Sequence, residues 1–234
     1  MGLRTLLLVH SPLVGPRSWE PTANEMRARG RQVVVPSLVE AVALAPPRYE
    51  AMATAVHGAH SRSRATGRAV LVVHSGAGSL VPSIVDRMPD LIDGVVFVDA
   101  TLPHSGQAWF DRAPPEMSEQ LRGLVDADGF LPPWHAWFPA EVVRDLVPDA
   151  KIRTGLIAEM PRVPLAYFAE IAPALDAWTK QPCGYVQLSG AYDSAAAQAR
   201  SGGWPVAHHE GHHLSAVTEP REVTNAILRL ANDL

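Results

Sequence analysis

Six short apolar runs alternate with helix-like stretches along this chain, and that alternation limits its fold more than any other feature. The runs are Thr5–His10, Gln32–Val35, Ala69–His74, Gly94–Val98, Gly184–Leu188 and Pro205–His208. Most are continuously apolar rather than alternating, as strands covered on both faces by helices should be. The stretches between them carry helix signals: Ser18–Arg29 with Ser18 as cap and Gly30 past its end, Pro47–Ala65, Gly76–Arg87, Ser194–Arg200, and Pro220–Leu230 with Thr218 as cap. The expected fold class is α/β, a doubly wound, mostly parallel sheet of about six strands with helices on both faces. At 234 residues the chain is near the upper end of what one hydrophobic core organises, so 1–234 reads as a single domain.

Residues 101–170 break the rhythm, with many prolines, no clear strand and short helical pieces such as Pro139–Leu146 and Asp149–Met160. They also hold more than half of the chain's aromatic residues. Such a segment reads either as a second small core or as a helical lid supplying an apolar pocket over the carboxyl edge of the sheet. On the lid reading, Trp109, Trp134, Trp137 and Phe138 line a substrate pocket together with His10 and His74 at the strand ends.

Composition removes several classes of function. A chain with 47% hydrophobic and 19% charged residues is not disordered. A net charge of −4 without a Lys/Arg block gives no nucleic-acid footprint. No apolar run approaches the roughly 20 residues of a membrane span, and Thr5–Val9 is too short for a signal peptide. The expectation is a cytoplasmic protein whose partner is a small molecule, with no nucleic acid and no membrane; oligomeric state is not legible. The lone Cys183 reads as a small core residue. No cofactor is expected, because Gly76-Ala77-Gly78 is too short to cradle phosphate and no dinucleotide fingerprint exists. No metal is expected either. His209-Glu210-Gly211-His212-His213 matches H-E-x-x-H literally, but that chemistry needs a helix, and here Pro205 and Gly211 argue for a strand and loop. Asp126-Ala127-Asp128-Gly129 reads as a polar turn.

The strongest chemical signal is Ala69–Gly78, AVLVVHSGAG. A buried strand that runs straight into Ser75 and then into small residues exposes the hydroxyl at a sharp strand-to-helix turn, with the next amide aimed at the same spot. A histidine on the loop after the last strand can reach back to such a serine as general base.

With these residues the chain resembles the α/β-hydrolase superfamily over nearly its whole length, as a compact member whose two leading edge strands are missing. His10–Trp19 resembles the family's oxyanion loop, His74-Ser75 its nucleophile elbow, Phe97–Pro103 the strand end before its lid, and His213 stands in the family's register before Pro220. The resemblance implies Ser75 as nucleophile, His213 rather than His212 as base, and either Asp99 or Asp193 as acid, the latter through Gly190-Ala191-Tyr192-Asp193. It implies Gly76 N–H as one oxyanion donor. The other donor position aligns with Pro12, which has no N–H, so Leu13 N–H is the available substitute. Val73 stands where the elbow usually has Gly. The implied function is a serine-nucleophile enzyme on an ester, thioester or lactone of a bulky apolar small molecule. Pro12 and Val73 point to the alternative, a non-hydrolytic lyase, eliminase or cyclase using Ser75–His213 for proton transfer; a binding module without turnover is the third reading.

Overall fold

The structure, a computed structural model, describes residues 4–63, 65 and 67–234. In chain order its elements are β1 (Thr5–Val9), α1 (Glu20–Ala28), β2 (Val33–Val34), α2 (Arg48–Arg62), β3 (Ala69–Ser75), α3 (Val81–Arg87), β4 (Ile92–Ala100) and α4 (Pro115–Leu124). There follow β5 (Phe130–Leu131), α5 (Ala140–Leu146), α6 (Ala150–Ala158), β6 (Val163–Pro164), α7 (Ala166–Ala169), β7 (Cys183–Gln187), α8 (Asp193–Ser201), β8 (Val206–His208), α9 (Ser215–Thr218) and α10 (Pro220–Asp233). All six expected strands form, and they pair in parallel in the order β2-β1-β3-β4-β7-β8.

The two-sided burial explains the continuous apolar runs. Successive strand side chains point to opposite faces. Leu7, Val9, Leu71, Val73, Val95, Phe97 and Tyr185 pack on one face against Met52 and Val56 of α2, Ile84 of α3 and Ala196 of α8. Leu6, Leu8, Val70, Val72, Val96, Val98 and Val186 pack on the other against Met26 of α1 and Val223, Ile227 and Leu230 of α10. In α10 those three recur at helical spacing, which makes one stripe that covers the sheet. Truncating Ile227, fully buried there, to Ala would cost about 2–5 kcal/mol.

Helix starts depart from expectation. Ser18 belongs to a 3-10 turn, Pro16–Ser18, and its hydroxyl donates to Gly15 O rather than capping α1, whose cap position is Trp19. Thr218 closes α9, and Glu219 precedes α10, with Pro220 inside its first turn. Gly76–Leu80 is a 3-10 turn leading into α3. The expected helix over 47–65 ends at Arg62, and position 64 lies outside the described residues.

Between β4 and β7 the expected short helices form, and Asp149 caps α6 by accepting from the amides of Lys151 and Ile152. One expectation for 101–170 is corrected: β5 and β6 form a two-residue antiparallel ribbon. Each strand is too short to show a period in sequence. Asp126 Oδ1 accepts from the amides of Asp128 and Phe130, so that segment is the polar turn expected. Leu121, Leu131, Val163 and Phe168 from this segment merge with the core on one sheet face. Leu156 and Met160 instead meet Val14, Leu214 and Val217, which join the segment to the loops at the carboxyl edge. No helix among the described residues is long and apolar enough to cross a membrane.

Candidate active site

Ser75 ends β3 with φ 58° and ψ −129°, a conformation that costs a residue with a side chain about 1–3 kcal/mol. The surroundings determine it. Ser75 O accepts from Thr101 N–H at 3.1 Å, and Ser79 Oγ donates to Gly76 O at 2.8 Å. Gly78 lies so close to the exit of β4 that a Cβ there would collide with the Thr101 carbonyl. The β3–β4 register slips between His74 and Ser75, so that Ser75 pairs with Ala100 and Asp99 drops out of the ladder. Asp99 is the other non-glycine residue with positive φ among the described residues, at 42°.

These two strained residues flank His213, which stands on the loop between β8 and α9. His213 Nε2 is 3.0 Å from Ser75 Oγ, and His213 Nδ1 is 2.8 Å from Asp99 Oδ2. Asp99 is fully buried and accepts three further hydrogen bonds: from the amides of Leu188 and Ser189 at 2.9 and 3.0 Å, and from Ser189 Oγ at 2.6 Å. Burial opposes its ionisation, but the bonds from His213 and Ser189, the charge of His213 and the Leu188 amide outweigh it and hold the carboxyl below its ordinary value. A charged Asp99 fixes the proton on Nδ1 and leaves Nε2 as acceptor for Ser75. Asp193 is elsewhere. It opens α8 and accepts from Gln187 Nε2 at 2.6 Å, with no hydrogen bond to His213.

Neighbouring histidines brace the loop. His74 stacks on His213 at 4.5 Å between centroids and donates from Nε2 to His213 O at 2.9 Å. Burial, then the charge of His213, pushes His74 well below the ordinary imidazole value, so it stays neutral. His209 pairs with Glu219, which also accepts from Ser215 Oγ, and Ser215 Oγ accepts from His212 N–H at 2.9 Å. Thus His209–His213 is a loop stapled to α9, not a metal-binding helix. Among the described residues no three His, Cys, Asp or Glu side chains gather to hold an ion.

On the β1 side, His10 is completely buried and bridges two backbones, donating from Nδ1 to Ser11 O at 2.8 Å and accepting at Nε2 from Leu38 N–H at 3.1 Å. Burial lowers its pKa to about 4. The loop it pins packs on the elbow: a Cβ on Gly76 would meet Ser11 Oγ at 3.4 Å and Pro12 Cδ at 3.6 Å. Leu13 N–H is already engaged, donating to Ser11 Oγ at 3.3 Å.

A small cavity of about 20 Å³ opens over Ser75, lined by Ser11, Leu13, Val14, Trp134 and Leu214 with His74 and His213. Of the expected pocket residues, His74 and Trp134 line it. His10 is buried behind the loop. Trp109 and Trp137 pack on Phe168, and Phe138 packs edge-on against Trp134, so these three consolidate the segment instead. Aromatic composition alone cannot separate rings that face a cavity from rings that face one another. Five residues of the site carry no sequence signal of their own: Ser11, Ser189 and Tyr192, which hydrogen-bond within it, and Val14 and Leu214, which line the cavity. Tyr192 stands inside the Gly190–Asp193 motif, in which the acidic residue is the one with a recognisable sequence signal.

No family model matches the sequence, and no curated protein does. Solved structures do. An extracellular alpha/beta-hydrolase from a Paenibacillus species, described as sharing structural and functional homology with a tobacco salicylic acid binding protein, is 21% identical, with 97% of this chain and 98% of that chain covered and a TM-score of 0.74. A pyrethroid hydrolase from Sphingobium faniae JZ-2 is 18% identical over 99% of this chain and 98% of that one, with a TM-score of 0.72. A histidine-to-alanine variant of tomato methylketone synthase I, complexed with beta-ketoheptanoate, is 16% identical over 100% of this chain and 99% of that one, with a TM-score of 0.74. The chain therefore has the α/β-hydrolase fold.

Proposed function

We propose that this protein is a serine-nucleophile enzyme of the α/β-hydrolase type that cleaves an ester, thioester or lactone of a small apolar molecule. The observation that carries this reading is the unbroken line from buried, ionised Asp99 through His213 to Ser75, at 2.8 and 3.0 Å. In this role His213 Nε2 takes the Ser75 proton as Oγ attacks the carbonyl carbon. Gly76 N–H faces the growing oxyanion, His213 returns the proton to the leaving oxygen or sulfur, and water then releases the acid by the same steps. Asp99 orients the imidazole and stabilises its charged form. The segment 101–170 serves as the lid, contributing Trp134 to the pocket. The cavity lies below the roughly 300–1,000 Å³ of sites for drug-sized ligands, so the part of the substrate next to Ser75 is small and any bulk lies outside it. This narrows the bulky apolar substrate expected from the lid aromatics.

A second reading, proton transfer without an acyl-enzyme, is favoured by one feature. Pro12 has no N–H and Leu13 N–H is held by Ser11 Oγ, so the β1 side offers no free backbone donor of the expected kind. A lyase or cyclase reaction would not need it. The fold hosts both chemistries.

A series of p-nitrophenyl esters from acetate to decanoate tests the leading reading. Turnover should be highest for the shortest acyl groups, and Ser75→Ala should lower it by several orders of magnitude. Ser75→Ala turning over at the wild-type rate would contradict it.

A further inference from the structure

Besides His213, one further side chain touches the reacting oxygen of Ser75. Tyr192 ends the short 3-10 turn after β7. Its ring lies nearly parallel to that of His213, at 5.0 Å and 11°, and its hydroxyl is 3.2 Å from Ser75 Oγ. We propose that Tyr192 is a catalytic residue whose phenolic O–H donates to Ser75 Oγ and stabilises the charge that grows there as the serine loses its proton. This rests on Ser75 being the nucleophile.

Proton counting gives the direction of the bond. Asp99 accepts from Nδ1–H, so Nε2 is an acceptor and Ser75 O–H points to it. Ser75 Oγ then has only lone pairs to offer Tyr192, and the phenol must be the donor. The phenol also stays protonated: burial, eased by its bond to Ser75 and reinforced by the charge of Asp99, pushes its pKa up to about 12. The donor comes from the β7 side, across β3 and β4 from the loop after β1 that holds Pro12. It therefore acts on the nucleophile's oxygen, while Gly76 faces the carbonyl oxygen. During attack the bond from Oγ to the electrophile forms, the Ser75 proton moves to Nε2, and Tyr192 keeps its own proton throughout. When the acyl-enzyme is resolved, Oγ departs and the same O–H receives it. Stacking on His213 is a separate contribution that Phe would retain.

The test is the second-order rate of Ser75 phosphonylation by an alkyl fluorophosphonate, in which an O–P bond forms, fluoride leaves and the serine proton passes through His213 to solvent. Tyr192→Phe should label about tenfold more slowly, the effect of losing one hydrogen bond to a charged group. The downfield proton signal of His213 Nδ1–H should be unchanged, which a loss of positioning would not permit. A labelling rate within twofold of wild type would overturn the role. Should Tyr192→Phe not fold, trifluorotyrosine at position 192 serves: its more acidic phenol should make labelling fall off at a lower alkaline pH than in wild type, and superimposable pH profiles would overturn the role. A wild-type protein that takes no label at Ser75 would remove the nucleophile and Tyr192's role together, whereas normal labelling with an insensitive variant removes only the latter.

Discussion

Ser75 and Asp99 both accept positive φ because one irregularity, the slip between His74 and Ser75 in the β3–β4 ladder, aims both side chains at one histidine. Asp99→Asn should keep this geometry but present the wrong tautomer of His213, lowering kcat by about 10⁴-fold. Asp193→Asn retains an oxygen for Gln187 and should leave kcat unchanged, with a stability change under about 1 kcal/mol. Steady-state kinetics of both variants decide the matter, and the reverse ranking would move the acid role to Asp193. Pro12→Ala restores an N–H beside the elbow, and hydrolysis of an activated ester should rise about tenfold or more, as one oxyanion donor is worth roughly 10²–10³ in rate. An unchanged rate in a folded variant would mean that the Ser11 hydroxyl, already beside Gly76, fills that place. The choice between Asp99 and Asp193 could not be read from sequence. Both follow strands, and only the tertiary placement of the β7 exit, which supplies the Leu188 and Ser189 amides, separates them.

At the scale of elements, burial was legible and boundaries were not. Strands β1, β3 and β4 announced themselves because both faces are covered, which leaves no polar residue to interrupt the run. Ser18 and Thr218 looked like caps by residue type, but neighbouring 3-10 and short helical turns took those positions. The elbow depends on an element-to-element approach: α3 can follow β3 so tightly only because Gly78 lies against Thr101. Gly78→Ala should force that approach apart and destabilise the fold by about 1–3 kcal/mol or more. A lower urea midpoint is expected, and an unchanged midpoint would show that the turn can relax.

Across the whole molecule, three neutral or ionised states must coexist: charged Asp99, and uncharged His10 and His74. Both histidines titrate below their ordinary 6.5, His10 at about 4. Between those values the unfolded chain binds protons that the folded chain refuses, so stability is lost as pH falls below 6.5. Two fully buried groups correspond to a slope of up to about 2.7 kcal/mol per pH unit, so by pH 5 the loss should reach up to about 4 kcal/mol. Asp99 adds to it in the same direction, below its unfolded value of 3.8. Urea unfolding at pH 7.5 and 5.0 measures this, and equal stabilities at the two values would mean that the histidines are not held neutral. Peptide mapping after reaction with a fluorophosphonate shows whether Ser75 is the nucleophile on which the fold converges. One adduct per chain is expected, on the peptide containing Ser75 and absent in His213→Ala; a folded wild-type protein without an adduct there would show that Ser75 is not the nucleophile.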